Sequence, residues 1–199
     1  MQSRPLSIAG AVEFTPAQHG DDRGLFFEHF RFEPLEEALG HPFTVRQGNT
    51  SVSKKGTVRG IHYALVPPGQ AKYVTALSGA VLDYVIDLRV GSPTFGTWES
   101  VQLDDVDRRA VYLAEGLGHC FVALTEGAIV SYLVSEVYNP VRELGISPTD
   151  PDIGLEFPFD RDDLLLSPKD LAAPSLEAAL ASTALPTYAD CVAYEGTLS

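Results

Sequence analysis

Side chains that can handle protons sit in short, apolar, strand-like segments of this chain. His62 lies in Val58-Arg59-Gly60-Ile61-His62-Tyr63, Lys72 follows the turn Pro67-Pro68-Gly69, and Tyr132 and Tyr138 fall within the run from Ala128 to Tyr138. An imidazole gains and loses a proton near neutral pH, which makes His62 the natural candidate for a general base. Side chains alternate along a strand, which predicts Gly60 and His62 on one face and Arg59, Ile61 and Tyr63 on the other. The same rule gathers Val130, Tyr132, Val134, Glu136 and Tyr138 on one wall. If that wall faces inward, both phenols point into a cavity. Lys72 shares a face with Val74, and a lysine buried in an apolar strand has to be paired or serve a ligand. Each of these residues, taken singly, also fits a satisfied position in a core.

A metal centre needs several imidazole or carboxylate ligands, commonly two histidines one residue apart on a strand. Here Tyr63 and Ala64 follow His62, so that pair is missing. His119 could meet His62 in space, but two histidines without a placed glutamate make a poor site, and no metal is expected.

The elements that would position these groups are strands. Gly and Pro punctuate the chain at short intervals, and between them lie brief runs rich in Val, Ile, Tyr and Phe. The clearest spans Ala80 to Leu88 and ends at the turn Gly91-Ser92-Pro93. Others are expected at Thr57 to Tyr63, Lys72 to Leu77, Trp98 to Leu103, Ala110 to Leu113, Cys120 to Leu124 and Ala128 to Tyr138. Such spacing favours an all-β, antiparallel jelly-roll barrel over a βαβ fold. Helices are expected only at the periphery, near Pro34 to Leu39 and over Ser175 to Ser182, where Ser175 is a plausible cap. The Pro- and Asp-rich stretch from Asn139 to Pro174 is expected to wrap the barrel. A single domain with a helical extension from about residue 160 to 199 accounts for the length.

Composition narrows the partners. The chain has 199 residues, 45% of them hydrophobic and 10% aromatic, which is ample for a core. Its 27 acidic against 14 basic residues give a net charge of −13, which argues against nucleic acid bound through a broad positive field. A small anion needs only a few cations converging locally. Cys120 and Cys191 are too few and too separated for a disulfide framework or a zinc site, so they read as packing residues in a reducing cytoplasm. Met1-Gln2-Ser3-Arg4-Pro5 leads into no long apolar run, so neither a signal peptide nor a membrane span is expected.

Five segments together resemble the dTDP-4-dehydrorhamnose 3,5-epimerase family. They are Asp21-Asp22-Arg23-Gly24-Leu25-Phe26-Phe27-Glu28, Val58 to Tyr63, Val90-Gly91-Ser92-Pro93-Thr94-Phe95-Gly96, Asp150-Pro151-Asp152-Ile153-Gly154 and Leu166-Ser167-Pro168-Lys169-Asp170, in the family's order. The resemblance implies a homodimeric cupin-type double-stranded β-helix that binds a thymidine diphosphate 4-keto-6-deoxyhexose and uses neither metal nor organic cofactor. It assigns the base to His62, the carboxylate paired with it to Asp170, the acid on the opposite sugar face to Tyr132, and stabilisation of the enolate to Lys72. Phosphate contacts map to Arg23 and Arg59, with His119 near the sugar or phosphates. Nucleotide-side contacts map to Phe26, Glu28, Gln47, Asn49, Tyr138 and Glu143. Ala114 in place of a family proline, Gly48 after Gln47, Pro168 and the long C-terminal tail are similar to the antibiotic deoxysugar-pathway branch, in which some members invert C3 alone.

The implied chemistry suits these residue types. A proton alpha to a ketone is weakly acidic, and its removal leaves negative charge on the ketone oxygen. A preorganised Lys72 ammonium there would contribute roughly 3 kcal/mol, by analogy with oxyanion donors. Two arginines offer planar donor forks to a diphosphate, and Tyr138 can stack on a flat base. The expected activity is C3 epimerisation. Inversion at both C3 and C5, a 3,4-ketoisomerase and a non-catalytic nucleotide-sugar-binding cupin are the alternatives. A neighbouring copy is expected to pair with an N-terminal strand such as Val12 to Phe14.

Overall fold

The computed structural model describes residues 1–198. In chain order the strands are β1 (Gln2–Pro5), β2 (Ala11–Thr15), β3 (Gln18–Asp21), β4 (Gly24–Phe27), β5 (Gln47–Ser53), β6 (Val58–Ala64), β7 (Lys72–Ser78), β8 (Ala80–Asp87), β9 (Trp98–Asp104), β10 (Ala110–Leu113), β11 (Leu117–Ala123), β12 (Ala128–Val134) and β13 (Glu143–Gly145). The helices are short: α1 (Phe32–Leu39), α2 (Pro168–Leu171), α3 (Leu176–Ala181) and α4 (Tyr188–Glu195). None is long and apolar enough to cross a membrane among the described residues.

Two antiparallel sheets face each other as a cupin-type jelly roll. One runs in the order β1-β2-β10-β7-β12-β5, the other β13-β6-β11-β8-β9, and β3-β4 forms a separate hairpin. Strand alternation sorts the apolar residues into three layers. Between the sheets, Val74, Val111 and Val130 of the first meet Val81, Val85, Val101 and Phe121 of the second. Outside the second sheet, Ile61, Tyr63, Tyr84 and Val122 are covered by Ile146, Ile153, Leu176 and Leu185 from the wrapping C-terminal segments. Outside the first sheet, Phe14, Tyr73 and Tyr112 pack under Leu35 of α1 and Phe43. Cys120 and Cys191 are free, buried packing residues.

Three expectations need correction. Ala11–Thr15 is not free to pair with a neighbouring copy, because β1 and β10 occupy both its edges; the terminal strand of that sheet is Gln2–Pro5. The strand expected to reach Tyr138 stops at Val134, where its pairing with β5 and β7 ends. Strict alternation also fails within β6. There, His62 pairs with His119 and Arg59 with Phe121, so Gly60 and Ile61 together oppose the single residue Cys120. That extra residue is a β-bulge, and it returns Arg59 to the face that carries His62.

Gly60 makes the bulge sterically possible. Its φ of +135° is one that L side chains rarely adopt, and an added Cβ would lie 2.6 Å from both Cys120 Cα and the His119 carbonyl oxygen. Neither backbone atom can move without shifting β11. Gly60→Ala is therefore expected to destabilise the fold by about 3 kcal/mol, an overpacking cost, and chemical denaturation would measure it. An unchanged midpoint would mean that β6 takes up a regular register at no cost.

Candidate active site

The bulged strand and its neighbours line a cavity of about 600 Å³ between the sheets, within the range of sites that enclose a small organic ligand. His62 and Arg59 reach it from β6, His119 from β11, Lys72 from β7 and Tyr132 from β12. Asp170 and Lys169 enter from α2, Gln47 and Asn49 from β5, and Tyr138 and Glu143 from the segment after β12. Because β6 and β12 belong to different sheets, His62 and Tyr132 project from opposing walls.

Several of these polar groups are held by partners. His62 Nε2 lies 2.7 Å from Asp170 Oδ1. Ser167 caps α2 by accepting the Asp170 N–H at 3.1 Å, and its hydroxyl donates to Asp170 Oδ2 at 2.8 Å. Pro168 at the first helical position suits this cap, since it has no N–H to satisfy. Burial opposes ionisation of Asp170, but the hydrogen bonds from His62 and Ser167 outweigh it and hold the carboxyl below its usual range. A carboxylate at Nε2 selects the tautomer with the proton on Nε2 and leaves the Nδ1 lone pair of a partly exposed ring, 39% by side chain, able to accept a proton.

Burial raises the Tyr132 phenol above its normal value, and nearby Glu143 adds to this while Arg59 opposes it. The phenol thus stays protonated over a wide range and can serve as a donor. Lys72 is 6% exposed. Burial pulls its ammonium down to about 8, with Glu143 acting in the other direction. His119, the cross-strand neighbour of His62, is fixed by Asp83 Oδ2 at 2.7 Å. Burial raises the Asp83 carboxyl while His119 opposes the shift.

At the outer end, Gln47 Nε2 donates to Asn49 Oδ1, and Gln47 Oε1 accepts the Tyr138 N–H. Tyr138 is 56% exposed, and its ring can cover a flat ligand. Arg59 Nε donates to Ser53 Oγ at 3.1 Å. Arg59, Lys72 and Lys169 gather cationic charge here in a chain whose net charge is −13. Among the described residues, no three His, Cys, Asp or Glu side chains converge as metal ligands would.

Three assigned residues lie elsewhere in the chain. Arg23 and Phe26 sit on the exposed β3-β4 hairpin and Glu28 just after it, and none lines the cavity. Phe26 is 68% exposed, and Arg23 is engaged with Asp21. Conversely, Asp83, Gln70, Ser167 and Lys169 belong to the site without having been singled out as site residues. Asp83 had a readable signal: a carboxylate inside Val81-Leu82-Asp83-Tyr84-Val85 must be paired if that strand is buried. Gln70 is a polar residue in the loop before β7, and nothing local marks it; Ser167 and Lys169, the cap and a first-turn residue of α2, lie in the quoted Leu166 to Asp170 segment but carried no assigned role.

The family described as dTDP-4-dehydrorhamnose 3,5-epimerase matches residues 5–178. The dTDP-4-dehydrorhamnose 3,5-epimerase of Mycolicibacterium smegmatis is 54% identical over 198 residues, covering 100% of this chain and 97% of that protein. Among solved structures, the rmlC epimerase of Mycobacterium tuberculosis superposes with a TM-score of 0.96 at 48% identity, covering 100% of both chains. ChmJ, a 3'-monoepimerase from Streptomyces bikiniensis solved in complex with dTDP-quinovose, superposes with a TM-score of 0.94 at 47% identity over 98% of both chains. With the cavity geometry, the jelly roll and full-length similarity in agreement, the chain belongs to the dTDP-4-dehydrorhamnose 3,5-epimerase family of carbohydrate epimerases.

Proposed function

We propose that the protein inverts C3 of a dTDP-4-keto-6-deoxyhexose by proton transfer between its own side chains and the sugar. The observation that carries this reading is the placement of a carboxylate-paired imidazole and a half-buried phenol on opposing sheets around one cavity. His62 Nδ1 takes the proton from C3, while its Nε2–H stays donated to the Asp170 carboxylate, which stabilises the imidazolium. The C3–H electron pair moves into an enolate with its charge on the C4 oxygen, where the Lys72 ammonium donates. Tyr132 then delivers its proton to C3 from the opposite face, and solvent restores both side chains. Substrate and product have the same atoms and oxidation level, so the balance calls for no redox cofactor. Arg59 and His119 suit the diphosphate and Tyr138 suits the thymine.

A second reading, inversion at both C3 and C5, is favoured by the name of the 54%-identical relative. Conversion of dTDP-4-keto-6-deoxyglucose in deuterium oxide, followed by NMR of the sugar carbons, separates the two. Deuterium at an inverted C3 alone is expected. Label and inversion at C5 as well would select the double epimerase, and a moved carbonyl would overturn both.

We also place Arg23, Phe26 and Glu28 in the site of a second copy within a homodimer in the cytosol. Support comes from the β3-β4 hairpin, which pairs only with itself among the described residues and exposes Leu25 and Phe26. Sedimentation should give twice the 21.5 kDa chain mass. Phe26→Ala should raise KM roughly tenfold, the cost of losing one buried aromatic contact. A monomer with full activity would remove this part of the proposal.

A further inference from the structure

The ammonium assigned to the enolate has an anchor of an unusual kind. Lys72 Nζ donates to Gln70 Oε1, the side chain two positions earlier in the chain. Gln70 Nε2 in turn donates to the Glu136 carbonyl oxygen at 3.0 Å and to Glu143 Oε1 at 3.2 Å. A backbone carbonyl has no hydrogen to give, so the NH₂ end of the amide must face Glu136 and its oxygen must face Lys72. Gln70 and Lys72 are both buried, at 7% and 6% exposure, so neither end can readily turn to water instead.

The chemistry explains why an amide stands there. A carboxylate in contact with Lys72 would neutralise the charge that a developing enolate needs, whereas no acceptor at all would leave a buried ammonium free to shed its proton. A neutral amide oxygen takes one of the three N–H donors and leaves two for ligand. It also carries part of the polarity of Glu143 to the lysine through a hydrogen-bond chain. Burial already draws the ammonium down to about 8, so little further loss of support is tolerable at neutral pH.

We propose that Gln70 is a positioning residue of this epimerase: locked by Glu136 and Glu143, it aims the Lys72 ammonium into the cavity and keeps it protonated. This rests on the enolate role given to Lys72 above. The titratable and charged groups that share the cavity lining with Lys72 are Glu143 from β13, Tyr132 from β12, Tyr138 from the segment after it, Arg59 and His62 from β6, His119 from β11, and Lys169 and Asp170 from α2. Substitution of Gln70 removes none of these groups, and Glu143, though it loses the Gln70 amide, keeps its hydrogen bond from the Asn139 N–H at 3.0 Å.

The test is the pH dependence of kcat/KM for solvent deuterium exchange into dTDP-4-keto-6-deoxyglucose. In the wild type, activity should fall as pH rises through about 8, where Lys72 loses its proton. Gln70→Met keeps the length but offers no comparable acceptor, so the ammonium is lost sooner. The alkaline limb should move down by about one pH unit, with a roughly tenfold loss above it. Gln70→Asn, one methylene shorter, should do the same and serves if the Met variant fails to fold. In a Lys72→Met background the further loss on changing Gln70 should vanish, since two residues acting through one contact are not additive. An alkaline limb that stays put, or an undiminished loss when Lys72 is absent, overturns the proposal. Absence of exchange by the wild type would instead overturn the epimerase reading beneath it.

Discussion

His62→Ala is expected to abolish solvent deuterium exchange at C3, with a loss of roughly 10⁴-fold, the upper end of what a positioned general base contributes. The cavity offers no ready replacement. His119, the other imidazole, has its Nε2 committed to buried Asp83, and Lys72 is protonated below about 8. Asp170→Asn should lose most of the same rate while leaving the imidazole in place. An asparagine can present an NH₂ to Nε2, and the ring then carries its proton on Nδ1, where the lone pair is needed. Exchange at a near-normal rate in either variant would move the base elsewhere in the cavity.

Tyr132→Phe is expected to separate two events that the wild type performs together. The base on the β6 wall is untouched, so deuterium should still enter C3 with retained configuration, within about tenfold of the normal rate. Inversion needs a donor on the β12 wall and should fall by roughly 10³-fold, within the range for a general acid. The packing cost of this change is small, because the ring stays against the inter-sheet core and only the hydroxyl is removed. Equal, mild losses of exchange and inversion would take Tyr132 out of the acid role.

The fold was legible wherever alternation and turn residues spoke together. Ala80–Asp87 and Ala110–Leu113 fall close to or at their expected bounds because β-branched and aromatic residues end at Gly or a charged turn. Strand β5 was missed because Gln47-Gly48-Asn49-Thr50-Ser51-Val52-Ser53 is polar on both faces: its residues line the cavity or meet solvent rather than filling a core. Strand β13 is three residues long, too short for any period to show. The segment Asp21 to Glu28 forms the turn and second strand of the β3-β4 hairpin, whose four-residue strands are mostly exposed and carry no alternation.

The site divides in the same way. His62, Lys72, Tyr132 and Asp170 were named in advance, the first three as chemistry-bearing residues in strands and Asp170 through family resemblance alone. The resemblance paired Asp170 with the imidazole, but nothing local in the sequence could, since 108 residues separate them and a four-residue capped helix makes the link. Alternation put Arg59 on the wrong face because Gly60 hides a bulge, and a glycine in a strand is the signal that such a bulge is possible. Asp83 could have been inferred as paired, but its partner could not, because cross-strand register is set by the whole sheet. The role of Gln70 emerges only when Lys72, Glu136 and Glu143 are seen converging on one amide.

The central claim is geometric, and a structure of the protein with dTDP-6-deoxyglucose, a ligand that lacks the ketone and cannot react, tests it most directly. The account predicts C3 between the two walls, with His62 Nδ1 and Tyr132 Oη each within about 3.5 Å on opposite faces of the ring, as a near-attack geometry requires. Both groups on one face, or the sugar bound with C3 turned away from the imidazole, would contradict it.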